Sequence, residues 1–142
     1  MLIRILYVST AVGPQTTTVT GTILRSAQAF NGDNGITGVL CQGQGVWLQV
    51  LEGTYSGVNT LYERILADKR HKNVQTIAVE DITQRRYGAW AMAHVKLTDA
   101  DPMLEVNSPD APFDPYAATA SHAMARIDSL MASGKVMGKP VM

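Results

Sequence analysis

Residues Leu2 to Val8 alternate so that Ile3, Ile5, Tyr7 and then Ser9 share one face, while Leu2, Leu6 and Val8 share the other. Both faces are mostly apolar. A strand with one solvated side does not read this way, so the segment belongs inside a sheet covered on both faces. The cover must come from amphipathic segments further along the chain.

The first of these comes after Gly13-Pro14, where Val19, Ile23, Ala27, Phe30 and Asn31 recur at steps of three and four and run into Gly32 and Gly35. Ile36 to Cys41 and Val46 to Leu51 read as two strands joined by Gln42-Gly43-Gln44-Gly45, a hairpin connection. Val58, Leu61, Tyr62, Ile65 and Leu66 mark a second helix ending near Asp68, and Val74 to Ile82 and Ala89 to Val95 read as two more strands. The order βαββαββ predicts an α+β sandwich of the ferredoxin-like kind, with a mixed sheet and both helices on one face.

Beyond Leu97 the texture changes. Asp101-Pro102, Pro109, Pro112 and Pro115 punctuate a polar stretch, after which an Ala-rich helix is expected from about Tyr116 to Ala132. Its stripe of Ala117, Ala120, Met124, Ile127, Leu130 and Met131 is the candidate cover for the second sheet face. Gly134, Gly138 and Pro140 predict a frayed tail. Residues 1–97 thus read as one domain and 98–142 as a C-terminal helical extension and tail, with no internal repeat.

Charge and composition exclude several function classes. The 142 residues carry 12 Lys+Arg against 12 Asp+Glu, and no basic run exceeds Lys69-Arg70 or Arg85-Arg86, so neither nucleic acid nor a membrane is an expected partner. The N-terminus lacks a basic leader and its apolar run breaks at Arg4, which predicts neither signal peptide nor membrane span. A lone Cys41 makes no disulfide framework, and a cytoplasmic setting is expected. His71, His94 and His122 are far apart without metal-ligand spacing, and no P-loop, Gly-x-Ser-x-Gly or Gly-x-Gly-x-x-Gly follows a strand. Neither a metal site nor catalytic residues are expected, and the chain reads as a non-enzyme.

The unusual feature is a set of polar side chains at inward positions. Tyr7 ends one face of the first strand, Asn31 ends the stripe of the first helix, and Gln49 lies between Trp47 and Leu51 on one face of the third strand. Buried phenols and amides must be hydrogen-bonded. Three that converge fit a polar ligand with an apolar body, and a flavin ring is one, since an amide can both donate to a ring carbonyl and accept from ring N3–H. Cys41 groups with Thr37 and Val39, opposite Ile36, Gly38 and Leu40, and reads as an inert buried thiol. Glu52-Gly53 reads as a strand exit and turn without chemistry of its own.

Five segments in order carry a family resemblance: Leu6-Tyr7-Val8-Ser9; Asn31 followed by Gly35-Ile36-Thr37-Gly38-Val39-Leu40; Trp47 to Gly53; Asp68-Lys69-Arg70-His71; and Arg86 to Met92. The stretch from about Leu2 to Leu97 resembles the BLUF domain, the blue-light sensors that use FAD. Phe30 and Lys69 depart from the common pattern at positions where many relatives carry a polar residue and Pro. The resemblance implies a noncovalent flavin, FAD or else FMN or riboflavin, and a light-driven rearrangement of hydrogen bonds among Tyr7, Gln49 and the flavin. It assigns Tyr7 as the redox-active phenol and Gln49 as the amide bridging it to the ring. Asn31 clamps the O4/N3 edge, Asp68, Arg70 and His71 close the far side, and Trp90 and Met92 relay the signal outward. Arg25 is a weaker candidate for the cofactor phosphates. With about 45 residues after Leu97, output is expected through self-association or a separate, unidentified downstream protein. The rival readings are an acylphosphatase-like hydrolase on the same fold, for which Ser9 to Pro14 offers no arginine, and a flavin-free regulatory domain.

Overall fold

The computed structural model describes residues 1–16, 21–22, 35–43, 45–96, 116–132 and 136–140. Among these, six strands form one sheet: β1 (Leu2–Ala11), β2 (Thr37–Gly43), β3 (Val46–Thr54), β4 (His71–Ile82), β5 (Trp90–Lys96) and β6 (Val136–Pro140). Two helices accompany them, α1 (Tyr55–Ala67) and α2 (Ala120–Ala132). The spatial order is β4-β1-β3-β2-β5-β6. All neighbours are antiparallel except β2 and β5, which run parallel. The mixed α+β sandwich expected from the sequence is the observed architecture. Of the first expected helix only Gly21 and Thr22 are described, in helical conformation; Arg25, Phe30 and Asn31 lie outside the described residues.

Alternation along the inner strands divides the core into two layers, as the pattern of Leu2 to Val8 requires. Ile3, Ile5, Tyr7, Ile36, Leu40, Trp47, Leu51 and Met92 pack with Val58, Leu61 and Tyr62 of α1. On the opposite face Leu6, Val8, Val39, Cys41, Leu48, Val50, Ala93 and Val95 pack with Ala123, Met124, Ile127 and Leu130 of α2. The C-terminal helix is therefore the cover for the second face. Cys41 lies in the α2 layer, where burial pushes its thiol up to about 12.

Local chemistry sets the ends of these elements. Thr54 caps α1, its side-chain oxygen accepting the Gly57 N–H at 3.2 Å, and Asp68 closes the other end with its N–H on the Ile65 carbonyl. Gly38 is required where β2 meets β3, because a Cβ there would lie 2.0 Å from the Val50 carbonyl oxygen.

Three sequence expectations need correction. The tail is not frayed throughout: Val136–Pro140 forms β6, antiparallel to β5, with Ala93 opposite Gly138. Without it β5 would present a row of unpaired backbone groups, and pairing satisfies them whatever the local propensity of Gly138 and Pro140. The C-terminal helix begins at Ala120 and not near Tyr116, because Thr119 acts as its cap, accepting the His122 N–H at 3.2 Å. Tyr116 serves instead as a tie to the sheet edge, with its hydroxyl 2.6 Å from Thr10 Oγ1 and 3.1 Å from the Asn73 carbonyl. β4 also starts three residues earlier than Val74, since His71 and Lys72 pair with Ala11 and Thr10.

If α2 is the second cover, Ile127→Ala, at a fully buried contact, is expected to cost roughly 2–5 kcal/mol in urea unfolding. A loss under about 1 kcal/mol contradicts the packing described for α2.

Candidate functional site

Tyr7 and Gln49 are directly opposite each other in the β1–β3 ladder, so both side chains emerge on the same face beneath α1. The Tyr7 hydroxyl donates to Gln49 Oε1 at 2.5 Å. On its other side the amide donates through Nε2 to the Met92 sulfur at 3.3 Å. All three residues are buried. Burial, reinforced by the neighbouring Tyr62 hydroxyl and Asp68 carboxylate, holds the Tyr7 phenol far above its ordinary value, so it keeps its proton at every physiological pH.

An aromatic wall surrounds the pair. The Tyr7 ring stands 5.5 Å from that of Tyr62 and 6.2 Å from the His71 imidazole, which lies 5.8 Å from the Trp47 ring. Tyr62 is fixed by a hydroxyl contact to Thr76 at 2.5 Å and His71 by one from Nδ1 to Ser9 Oγ at 2.7 Å. Burial lowers the His71 pKa and outweighs the upward pull of Asp68, so the imidazole favours its neutral form. Asp68 and Arg70 form a local unit after α1: Arg70 N–H and Nε reach Asp68 Oδ1 at 2.9 and 3.0 Å, and Arg70 NH2 reaches Oδ2 at 2.6 Å. That hydrogen bonding lowers the Asp68 pKa.

Trp90 and Met92 occupy opposite faces, although they are two residues apart. A register irregularity in the β5–β6 ladder lies between them, so Ala91 is an extra residue and the alternation resets. Met92 therefore joins the α1 layer beside Gln49, while Trp90 packs against the α2 layer. Tyr7, Gln49, His71 and Met92 are thus brought together, Asp68 and Arg70 lie at the adjoining helix end, and Asn31 is outside the described residues.

Sequence reasoning overlooked Glu52. It is fully buried and receives Arg4 Nε at 2.8 Å, Arg86 N–H at 3.0 Å and Tyr87 N–H at 2.7 Å, which is far from an idle turn. The signal was present: alternation puts Glu52 on the face of Leu48 and Val50, and an acid on an apolar face needs partners.

The residues of the α1 layer fit a flat ring that offers acceptors. The buried Gln49 amide meets a thioether as acceptor, and the buried Trp47 Nε1–H has no partner among the described residues. Both are donors that a ring carbonyl or ring nitrogen would satisfy. Among the described residues no group of His, Cys, Asp and Glu could hold a metal ion, and no helix is long and apolar enough to cross a membrane.

Residues 2–93 match the family of sensors of blue light using FAD. The chain belongs to the BLUF family. Over 88 residues it is 39% identical to photoactivated adenylate cyclase subunit alpha of Euglena gracilis, a match that covers 62% of this chain but 9% of that protein. The chain thus spans about a tenth of the length of such relatives. The dark-state structure of the BLUF protein BlrB superposes with a TM-score of 0.75 at 26% identity, covering 94% of this chain and 96% of that one. The photo-activated structure of BlsA shares the fold, with a TM-score of 0.80 at 24% identity over 100% of this chain and 99% of that one.

His71 gives this site a pH signature. The unfolded chain takes up the imidazole proton near the ordinary value of about 6.5, above the lowered folded value, so His71 favours folding fully above that pH and less as pH falls below it. The stability difference between the wild type and His71→Asn, read by urea unfolding, is expected to shrink between about pH 7.5 and 5.5. A difference constant across that range contradicts the neutral-imidazole assignment.

Proposed function

We propose that this BLUF protein detects blue light through a noncovalently bound flavin, with FAD the expected form, and stores the signal in the hydrogen bonds of Gln49. The observation that carries the reading is the buried line from Tyr7 through the Gln49 amide to Met92. A bound flavin supplies the visible absorption and an electron acceptor. The chain supplies the rest. Tyr7, kept protonated by burial, has an O–H that points along the bond to Gln49 Oε1. Gln49 touches both the phenol and β5, and its amide can exchange donor and acceptor ends by rotating. One orientation offers Oε1 to Tyr7 and NH2 to Met92; the alternative offers the reverse. A rearranged amide that donates more strongly to a ring carbonyl shifts the absorption to the red.

Asn31, Asp68, Arg70 and His71 are the proposed cofactor contacts besides Gln49, with Asn31 on the O4/N3 edge. Arg70 Nε and NH2 bond Asp68, so NH1 is the end it would offer to a ring. Met92, and not Trp90, is the relay residue adjoining Gln49 in this arrangement. Residues 1–97 form the sensory unit and 98–142 carry α2 and β6, which tie the output surface to it. No described residue is assigned a catalytic role, and the output is read as passing to a downstream protein, with the cytoplasm as the setting, or through self-association.

The direct test is the colour of the purified protein: a yellow protein with a reversible red shift under blue light is expected, and a colourless one that takes up no added flavin refutes the reading. Tyr7→Phe removes one hydroxyl and keeps the ring, so flavin content is expected to stay the same while the long-lived red-shifted state disappears. A normal light response in that variant sinks the assignment of Tyr7.

A further inference from the structure

The turn between β4 and β5 is gripped from three directions. Arg85 NH1 reaches Thr37 Oγ1 at 2.9 Å and the Glu52 carbonyl at 3.2 Å. The Glu52 carboxylate, 0% exposed, accepts the backbone N–H groups of Arg86 and Tyr87 and is neutralised by Arg4 across the β1–β3 ladder. From the opposite side Asp128 of α2 accepts the Tyr87 hydroxyl at 2.7 Å and Arg86 Nε at 3.0 Å, and pairs with Arg86 NH2. A buried carboxylate is tolerated only with such partners, so Glu52 fixes the backbone of the turn firmly.

The turn leads directly into the irregular start of β5. The Trp90 N–H returns to the Tyr87 carbonyl at 3.3 Å, and the extra residue Ala91 then separates the faces of Trp90 and Met92. A slip of one residue in a strand exchanges its faces. The position of residues 86–88 therefore decides which side chain of β5 arrives beside Gln49.

We propose that Glu52 and Asp128 are positioning residues for the Tyr7–Gln49 site. Together they hold the Arg86-Tyr87 turn where it delivers Met92 to Gln49 and keeps Trp90 in the α2 layer, and through Asp128 they make α2 an energetic partner of the site. The coupling is reciprocal: a Gln49 arrangement that prefers another neighbour on β5 must strain the Asp128 link, and whatever displaces α2 must alter Gln49. The light-dependent half of the proposal rests on the photoreceptor reading; the positional half does not.

Glu52 variants would leave the Arg86 and Tyr87 backbone N–H groups without their acceptor and Arg4 with Glu80 alone, so the test uses Asp128, whose side chain is 35% exposed, and Tyr87→Phe, which removes a single hydroxyl. The chain has two tryptophans, and in a full-length Trp47→Phe background Trp90 is the only indole. In the dark, Asp128→Ala and Tyr87→Phe are each expected to change the access of a dissolved quencher to Trp90 by about twofold or more, with Asp128→Asn in between because it keeps an acceptor for Tyr87. After a blue-light pulse the lifetime of the red-shifted state, measured for the same Asp128 and Tyr87 substitutions with Trp47 retained, is expected to change by about threefold or more, with flavin content unaltered. Unchanged Trp90 access in both variants overturns the positional role, whether or not the protein responds to light. Altered access with an unaltered lifetime in a light-responsive chain overturns the coupling to the site. Altered access in a chain with no light response leaves the clamp standing and overturns the photoreceptor reading instead.

Discussion

A phenol and an amide are sealed between adjacent strands, and the rest of the structure is arranged around that pair. Tyr7 and Gln49 sit opposite one another in the β1–β3 ladder, each supplying the other's hydrogen bond in a place where water cannot. Leaving either group unpartnered there would cost about 1–3 kcal/mol, so the two are held in register by energy as well as by backbone pairing. The same confinement gives the amide few alternatives. It can point its oxygen toward the phenol or toward the other side, and a device with two arrangements of similar energy can store one bit.

The two-layer core divides the labour. The α1 layer contains the aromatic wall, the Tyr7–Gln49 pair and Met92; the α2 layer contains aliphatic packing residues, Cys41 and Tyr87, whose hydroxyl bonds Asp128. Cys41 is thereby removed from the chemistry by the geometry of β2 and by its raised pKa. β5, like β1, β2 and β3, contributes to both layers, with Met92 entering one and Ala93 and Val95 the other. Because the turn before it is bonded to α2 through Asp128, a change beside Gln49 has a short covalent and hydrogen-bonded path to the outer surface. The pairing of β6 with β5 adds a second tie between the C-terminal segment and this strand.

Period-two alternation made the inner strands legible: it placed Tyr7, Gln49 and Leu40 on one face and Val8, Cys41 and Val50 on the other, as the structure has them. The amphipathic stripe through Met124, Ile127 and Leu130 likewise announced a cover for the second face. Four things were hidden, each for a physical reason. β6 owes its form to an open edge on β5 that no local pattern in Val136 to Pro140 encodes. The early start of β4 rests on exposed residues such as Lys72 and Asn73, which carry no apolar periodicity. The role of Glu52 depends on the Arg86 and Tyr87 backbone 34 and 35 residues away, and only the closed fold brings a backbone donor to a particular acid. The separation of Trp90 from Met92 was invisible for the same reason, since a bulge breaks the rule by which strand faces are read.

The central claim is that the light signal resides in the Gln49 amide. Gln49→Leu keeps approximate volume while removing both the donor and the acceptor, and light-minus-dark absorption spectra of the flavin-loaded variant test it directly. The account predicts retained flavin, a slightly altered dark spectrum and no lasting red shift. A variant that binds flavin and still forms a long-lived red-shifted state would contradict it.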